Sequence, residues 1–170
     1  QYGVTSIDRA LYLRKAWLRS GQNYLGADGE WYTAVRVPQS TNKKVEIYVS
    51  KNGTTMEAVR EKETSCLARL HKLDEGVISE PELERLLDDL VAYDMYLLRA
   101  GTDGKNFQDV SAGKELYRRT LTTRPWEKCD CDVCKEIGVH ALIFRGTNRN
   151  KRRGFHNTWR FYQLLQDIVS

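Results

Sequence analysis

The sequence of 170 residues contains no run of about 18 consecutive apolar residues, which is the length that a helix needs to cross a bilayer. We therefore predict that no segment spans a membrane and that no membrane is a partner of this protein. The first 15 residues also lack the charged start and the long apolar core of a secretory signal peptide. The chain begins without methionine, and we expect it to be a fragment or a processed chain.

Cysteine is scarce, with four residues in the chain, and three of them fall within six positions while Cys66 stands alone. Small secreted proteins instead distribute an even set of cysteines over a disulfide framework. The spacing therefore argues against a disulfide scaffold. We expect an intracellular, cytoplasmic protein in which the clustered thiols have another purpose.

Acidic residues are absent from positions 141–160, a segment that carries six cations in a chain whose net charge is only +4. A basic block of this kind is typical either of a solvated surface or of a patch that binds phosphate. Guanidinium groups suit the second purpose because they bind phosphate oxygens through two parallel hydrogen bonds. The six cations are Arg145, Arg149, Lys151, Arg152, Arg153 and Arg160.

The periodicity of apolar residues predicts a β-hairpin followed by two antiparallel helices. Segments 30–37 and 44–50 alternate apolar and polar residues around a turn-rich loop, which predicts two paired strands. Apolar stripes predict one helix over 56–73 and a second that begins after Ser79, where Glu82 completes a capping box. Two further helices are predicted at 114–121 and at about 156–169.

Three cysteines and one histidine have the spacing of a metal site. Cys129-x-Cys131-x-x-Cys134 places three thiols on one turn of chain, and 21 residues separate this turn from His156. Three thiolates and one imidazole form the closed tetrahedral site that structural zinc prefers. Such a site would join the final helix to the cysteine turn, and metal binding would contribute to local folding.

Other interpretations of the cysteine cluster remain open. The thiols could be free in a loop, Cys131 and Cys134 could form a redox-active pair, or Cys66 could complete an iron–sulfur cluster. His140 is a rival fourth ligand for zinc, although its apolar surroundings, IGVHALIF, favour a packed side chain. Among these interpretations, the spacing favours zinc with His156 as the fourth ligand.

Two segments, in this order, resemble the zinc site of the tRNA-guanine transglycosylase superfamily. CDCDVC is similar to that family's Cys-x-Cys-x-x-Cys motif, and HNTWRFYQLLQDI to its His-Asn pair, which begins a helix rich in aromatic residues. Upstream, GVTSID resembles the family's nucleophile segment Gly-Val-Asp-x-Phe-Asp and ends at Asp8, with Thr5 and Ile7 replacing an acidic and an aromatic residue. The stretches 13–25 and 143–157 look closer to the branch that inserts 7-deazaguanine bases into DNA than to the tRNA enzymes.

The resemblance implies an α/β fold, in which this chain is the C-terminal part of a (β/α)₈ TIM-barrel transglycosylase with a zinc-binding subdomain. Residues 1–25 would supply a late barrel strand and the nucleophile loop, and residues 26–55 a β-hairpin. A helical-hairpin insertion would span 56–113, and the zinc-binding subdomain with the C-terminal helix would span 114–170. A longer parent or a companion chain would supply the missing strands, and a homodimer is a further expectation.

The resemblance also implies base exchange. Asp8 would attack C1′ of a nucleotide as guanine leaves, and a 7-deazaguanine base would then displace the enzyme. A carboxylate suits this double displacement because it stabilises oxocarbenium character and is a fair leaving group. The local sequence alone favours a helix N-cap at Asp8, whereas the resemblance favours the nucleophile.

DNA is the nucleic-acid partner that we expect, and tRNA is the alternative substrate. The target nucleotide would be extruded because C1′ is hard to reach within a duplex. A second alternative is a zinc-stabilised nucleic-acid-binding module without catalysis. The predicted phosphate contacts are Arg145, Arg149, Lys151, Arg152 and Arg153, with Arg14 and Lys15 as secondary contacts.

Overall fold

Helices dominate the fold, and the sheet found among the described residues has two short strands. The structure is a computed structural model that describes residues 10–18, 22–37, 39–42, 45–46, 49–50, 53–100, 110–144 and 146–169. The predicted barrel strand falls within residues 1–9 and therefore lies outside the described residues. No helix in the described ranges combines the length and the apolar character that crossing a membrane requires.

The N-terminal part contains one short helix and the two strands, which are α1 (Ala10–Lys15), β1 (Tyr24–Leu25) and β2 (Trp31–Tyr32). The strands are antiparallel, with Tyr24 opposite Tyr32 and Leu25 opposite Trp31. Tyr24, Leu25 and Tyr32 are buried, so the small sheet belongs to the core rather than to the surface.

The predicted β-hairpin is wrong in its position. The sequence predicts the second strand at 44–50, whereas residues 45–46 and 49–50 are helical and β2 pairs with the upstream β1. Val45 and Val49 are four residues apart, and this spacing places two side chains on one face of a helix as well as of a strand. The alternation therefore cannot distinguish the two conformations, and Val45 is buried from a helical position.

The predicted helical hairpin is present as α2 (Met56–Asp74) and α3 (Glu80–Ala100). Thr55 caps α2 because its hydroxyl oxygen accepts a hydrogen bond from the backbone N–H of Ala58 at 3.1 Å. Glu82 Oε2 accepts from the backbone N–H of Ser79 at 3.1 Å, which confirms the predicted capping box.

Helix α4 (Val110–Thr123) packs against this hairpin and contains the predicted helix at 114–121. Charged pairs join α2 to α3 through Lys72 and Glu82, at 2.6 Å, and α3 to α4 through Glu84 and Arg118. Each fully buried leucine at this contact contributes about 1.5–3 kcal/mol of hydrophobic stabilisation. The side chains that fill the space are Leu70, Leu86, Leu87, Leu90, Tyr117 and Leu121.

The C-terminal part consists of α5 (Asp132–Ile137), a 3-10 turn (Gly138–Leu142) and α6 (Gly146–Val169). The sequence predicts that the last helix begins near residue 156, but α6 begins ten residues earlier. Gly154 is an interior residue of this helix, where a Cβ would lie 2.7 Å from Leu13 Cδ1 and 3.0 Å from Trp17 Cζ3. The glycine therefore permits the close approach of α1 to α6. Because α6 begins at Gly146, most of the basic block of residues 141–160 lies on this helix.

Backbone hydrogen bonds connect the segment after β2 to the C-terminal part. Val35 forms an isolated parallel bridge with Ile143. Its N–H donates to the carbonyl oxygen of Leu142 at 2.8 Å, and its own carbonyl oxygen accepts from Phe144 N at 2.7 Å. This bridge fixes the start of α6 relative to the small sheet.

Asp74 forms a second connection, between the end of α2 and the segment around α5. Its Oδ1 accepts hydrogen bonds from the indole N–H of Trp126 at 2.6 Å and from the backbone N–H of Val139 at 3.1 Å. Both donors flank the cysteine cluster in the sequence. The helical hairpin is therefore tied to the cysteine-bearing segment from both sides.

Candidate metal centre

Four side chains converge in the interior of the protein. The ligand atoms of Cys129, Cys131, Cys134 and His156 all lie within 4.8 Å of one another, and all four residues are buried. The distances from His156 Nδ1 to the sulfurs of Cys129, Cys131 and Cys134 are 3.5, 3.2 and 3.4 Å. The structure thus brings together the predicted set of ligands as a plausible metal site.

The start of α5 presents the cysteines. Cys131 is the N-cap of this helix, and its Sγ accepts a hydrogen bond from the backbone N–H of Cys134 at 3.4 Å. Cys129 belongs to the preceding turn, where its backbone N–H donates to Trp126 O at 3.3 Å. Backbone N–H groups at a helix start stabilise thiolates, so the Cys-x-x-Cys spacing suits metal binding at this position.

His156 reaches the sulfurs from the middle of α6, and β1 fixes the orientation of its ring. Nε2 lies 2.8 Å from the carbonyl oxygen of Leu25, so Nε2 carries the proton and donates to that oxygen. Nδ1 is then the lone-pair atom that faces the sulfurs, as a metal ligand requires. Next to it, Asn157 Oδ1 accepts from Leu25 N at 3.0 Å. The His-Asn pair thus binds both backbone polar groups of one strand residue.

Tyr24 completes the surroundings of the site, although no signal in the sequence identifies it. Its ring stacks on the imidazole of His156, with centroids 4.1 Å apart and an angle of 13° between the planes. Its hydroxyl lies 3.2 Å from Cys134 Sγ and can donate to that sulfur. Burial, and then the neighbouring Cys134, raise the pKa of Tyr24, so it remains a hydrogen-bond donor.

Hydrogen bonds among the three sulfurs shift the pKa values of the three cysteines in different directions. Those from Cys131 and Cys134 lower the pKa of Cys129, while the hydrogen bonds to Cys129 raise the pKa values of Cys131 and Cys134. The neighbouring thiols therefore favour deprotonation of Cys129 over that of Cys131 and Cys134. A divalent cation would change this balance because it binds deprotonated sulfur.

The spacing and chemistry of the ligand atoms fit zinc. Sulfur and nitrogen ligands at tetrahedral zinc lie about 3.6 Å apart, given Zn–S and Zn–N distances of about 2.3 and 2.0–2.1 Å. The three distances from His156 Nδ1 to the sulfurs, 3.2 to 3.5 Å, are slightly shorter and need little movement to reach this value. Soft thiolates with one imidazole also match the ligand preference of zinc.

The rival ligands lie elsewhere. Cys66 is buried in α2, where burial raises the pKa of its thiol to about 12, and it does not belong to the cluster. His140 Nδ1 accepts a hydrogen bond from Arg149 Nη2 at 3.1 Å, and its ring meets that of His71 edge to face. Neither residue is near enough to the three sulfurs to be counted with them.

The prediction that Arg153 contacts phosphate is wrong. Its side chain is fully buried, and its guanidinium donates to the carbonyl oxygens of Ala16, at 2.6 Å, and Ile143, at 3.2 Å, and to Asn150 Oδ1 at 2.6 Å. Burial lowers the pKa of Arg153 to about 9, with a further contribution from Arg36. Arg153 therefore holds elements of the protein together rather than facing a ligand.

The other described cations of the predicted phosphate-binding set are accessible to solvent. Arg14 and Lys151 are exposed, Lys15 Nζ lies 3.9 Å from the ring centroid of Trp31, and Arg152 pairs with Glu136 at 3.4 Å. Arg149 is half-buried beside His140. Asp8 and Arg145 lie outside the described residues. The phosphate-binding roles of the accessible cations and the catalytic role of Asp8 stay predictions.

A comparison with known proteins finds one curated relative of similar sequence. A DNA-guanine transglycosylase from Salmonella montevideo is 37% identical to this chain over 169 residues. The match covers 99% of this chain and 38% of the relative, so the chain spans well under half the length of that protein. No protein-family model matches the chain.

Proposed function

The chain belongs to the tRNA-guanine transglycosylase superfamily, and we propose that it is the C-terminal part of an enzyme that replaces guanine in DNA by a 7-deazaguanine base. The observation that carries the proposal is the convergence of three cysteines and His156 in a chain that matches a DNA-guanine transglycosylase over almost its whole length. Because the chain spans 38% of that relative, the activity is proposed for a complete protein that includes a barrel.

Zinc is the proposed metal, with a structural role. Four protein ligands leave no open position for a substrate, so bound zinc would supply folding energy rather than chemistry. Metal analysis of the purified protein should find one zinc per chain, and Cys134→Ala should lose it. A purified wild-type protein that is folded and contains no metal would contradict this role.

Asp8 is the proposed nucleophile. Its carboxylate attacks C1′ of the target nucleotide, the bond from C1′ to guanine breaks, and guanine takes up a proton from a general acid in the barrel. A covalent glycosyl-enzyme forms through a new bond between C1′ and the carboxylate oxygen. The incoming 7-deazaguanine base then attacks C1′, loses its proton to a general base, and releases the carboxylate.

The catalytic role of Asp8 is tested in the full-length protein with DNA that contains radiolabelled guanine. Asp8→Ala should lower the rate of guanine release by at least about 10³-fold, because the proposed covalent intermediate forms on this carboxylate. Asp167→Ala is a suitable control because this carboxylate is exposed near the end of α6. If Asp8→Ala exchanges guanine at the wild-type rate, another residue is the nucleophile.

The accessible cations would hold the phosphates that flank an extruded nucleotide. Lys151 and Arg152 lie on α6, and Arg14 and Lys15 lie on α1, which directly follows the segment that contains Asp8. Extrusion of a base costs a few kcal/mol, and contacts with the flanking backbone can offset this cost. These residues are therefore the proposed contacts with the DNA backbone.

The choice between DNA and tRNA is tested by competition. A duplex DNA and a tRNA, each labelled differently, are offered to the same enzyme with one 7-deazaguanine base. Incorporation into DNA alone supports the proposal, and incorporation into tRNA alone supports the queuosine or archaeosine type of reaction instead. Binding to DNA without incorporation into either substrate would favour a non-catalytic module.

A companion chain or a second copy could complete the active site. The mass of the native particle, measured by light scattering, distinguishes a monomer from a homodimer. Co-purification with a second polypeptide, followed by gain of exchange activity on mixing, would identify a split enzyme.

A further inference from the structure

Tyr24, a fully buried residue of β1, contacts metal ligands from two different helices. Its hydroxyl lies 3.2 Å from the sulfur of Cys134, which belongs to α5. Its ring stacks on the imidazole of His156, which belongs to α6, with the two centroids 4.1 Å apart. One side chain of the small sheet therefore connects the two helices at the metal centre.

The hydroxyl of Tyr24 donates its hydrogen bond to Cys134 when a metal is bound. A metal-bound cysteine is deprotonated, and a thiolate sulfur has no proton to donate. The hydroxyl keeps its own proton near neutral pH, because even in water a phenol titrates at about pH 10. In the metal-loaded protein, the O–H of Tyr24 therefore points at the Cys134 sulfur.

This hydrogen bond stabilises the charge of the site. Zinc bound by three thiolates and one neutral imidazole would carry one net negative charge, and all four ligand residues are buried. A buried charge is costly unless hydrogen bonds stabilise it. For the Cys131 sulfur the donor is the backbone N–H of Cys134, at 3.4 Å. For the Cys134 sulfur the donor is a side chain, and a substitution can therefore remove it without changing the backbone.

The ring of Tyr24 has a second effect, which is on the orientation of His156. The planes of the two rings are only 13° apart, so that the phenol covers one face of the imidazole. The next residue of the strand, Leu25, accepts a hydrogen bond from His156 Nε2 through its carbonyl oxygen at 2.8 Å. The stacked ring and this carbonyl group together hold Nδ1 toward the sulfurs, as outer contacts of a metal ligand commonly do.

We propose that Tyr24 is a positioning residue of the metal centre, whose hydroxyl stabilises the Cys134 thiolate and whose ring fixes the plane of His156. The identity of the metal as zinc rests on the proposed function, whereas the two contacts of Tyr24 rest on the geometry of β1. A tyrosine that only filled the core would affect the stability of the fold and leave the bonds between metal and sulfur unchanged.

The first test measures the zinc affinity of the full-length protein by competition with a coloured chelator. Tyr24→Phe should weaken zinc binding about tenfold, because a metal ligand loses an outer hydrogen bond. The control is Tyr117→Phe, in which a similarly buried tyrosine loses a hydroxyl that accepts from the backbone N–H of Arg36 at 3.3 Å. Wild-type affinity of Tyr24→Phe, or an equal loss in both variants, would overturn the proposal.

A second test measures the bond between metal and sulfur directly. Cobalt(II) in place of zinc gives an absorption band in which charge moves from sulfur to metal. Loss of the hydrogen bond to Cys134 raises the energy of the sulfur lone pairs, so the band of Tyr24→Phe should move to longer wavelength. The band of Tyr117→Phe should keep its wild-type position. An unchanged band in Tyr24→Phe would show that the hydroxyl has no effect on the bound sulfur and would overturn the proposal.

A third measurement uses the wild-type protein and decides the role of the hydroxyl if Tyr24→Phe does not fold. With cadmium-113 in the site, a proton that is hydrogen-bonded to a ligand sulfur shows scalar coupling to the metal in NMR spectra. The hydroxyl proton of Tyr24 should show this coupling through the Cys134 sulfur. A hydroxyl proton without coupling, or one that exchanges rapidly with water, would overturn the proposal.

The role of the ring is tested by Tyr24→Leu, which removes the stacking as well as the hydroxyl. This variant should bind zinc more weakly than Tyr24→Phe, which keeps an aromatic ring on the imidazole of His156. Equal zinc affinities of the two variants would refute the role of the ring.

The results separate this role from the proposed function. A protein whose zinc affinity depends on the Tyr24 hydroxyl but that never exchanges guanine would keep the role of Tyr24 and refute the exchange reaction. A protein that exchanges guanine and binds zinc equally well as Tyr24→Phe would refute the role of Tyr24 alone. A folded wild-type protein that binds no zinc would refute both the proposed metal and the role of Tyr24.

Discussion

Arg153 donates a hydrogen bond from Nη2 to the carbonyl oxygen of Ala16 at 2.6 Å, although its side chain is fully buried. The contact joins α6 to the C-terminal side of α1, where a cation stabilises carbonyl groups that the helix leaves unpaired. Asn157, one helical turn further on, donates from Nδ2 to the carbonyl oxygen of Tyr12 at 3.3 Å. The helix that carries the metal ligand His156 therefore also positions the helix that follows the proposed nucleophile segment.

Replacing Arg153 should reduce stability without changing the contacts to DNA. Arg153→Met leaves the carbonyl oxygens of Ala16 and Ile143 without their buried donor, so the free energy of unfolding should fall by about 2 kcal/mol. Arg152→Met should have little effect on stability, because exposed ion pairs contribute about 0–1 kcal/mol, but it should lower the salt dependence of DNA binding. Urea unfolding and anisotropy measure the two effects. A folded Arg153→Met protein with a smaller salt slope would restore Arg153 as a phosphate contact.

Valine in place of Gly154 should displace the side chains of Leu13 and Trp17 from α6. In an exposed helix this change is mild, but here the new side chain would occupy the space of Leu13 and Trp17, and overpacking costs about 1–3 kcal/mol. The double variant Gly154→Val with Leu13→Ala should recover part of the loss, because it frees volume at the contact. Thermal unfolding of the two single variants and the double variant measures the coupling, and strictly additive effects would contradict the contact.

Removing the carboxylate of Asp74 should loosen the link between the helical hairpin and the cysteine segment. Asp74→Ala leaves the Trp126 indole N–H and the Val139 backbone N–H unpaired, at a cost of about 1–3 kcal/mol for each buried group. Asp130→Ala is the matched control because this side chain is 91% exposed although it lies between Cys129 and Cys131 in the sequence. Urea unfolding followed by tryptophan fluorescence compares the two variants. Equal stability of both would show that the Asp74 contacts contribute nothing.

Chelation of the metal should affect one part of the chain more than the rest. Helix α5 has six residues, and a helix of this length is not stable without tertiary contacts. We expect hydrogen exchange to accelerate in α5 and at Leu25, whose N–H is bound by Asn157 beside the metal ligand. Helices α2 and α3 should retain their protection because leucine packing holds them together. Uniform acceleration across the chain would instead indicate that the whole protein unfolds with metal loss.

The four metal ligands and the helical hairpin could be predicted from the sequence because the residue types and spacings within short motifs determine each of them. The Cys-x-Cys-x-x-Cys spacing favours a metal site, and His156 is favoured over His140 as the fourth ligand because His140 lies in an apolar stretch. Ser79 and Glu82 pair within the first turn of α3. The start of this helix therefore depends on neighbouring residues and hardly on tertiary contacts.

The start of α6 and the helical conformation near Val45 could not be predicted, since both depend on distant contacts. Gly154 has a low intrinsic helix propensity, yet it is an interior residue of α6, where its missing Cβ leaves room for the side chains of Leu13 and Trp17. Arg153 resembles a surface cation, but its buried guanidinium donates to the carbonyl oxygens of Ala16, directly after α1, and of Ile143, before α6. Tyr24 gave no signal at all, because its role depends on stacking against a residue 132 positions away.

Helix α6 is one continuous helix of 24 residues and is about 36 Å long. It therefore fixes both the distances and the angles between the side chains along it. Deleting a single residue between Arg149 and His156 would rotate everything beyond the deletion by about 100° relative to what precedes it. The imidazole of His156 would then leave the sulfurs while the guanidinium of Arg149 stayed beside His140. Length changes in this protein should therefore be tolerated in its loops but not within this stretch of helix.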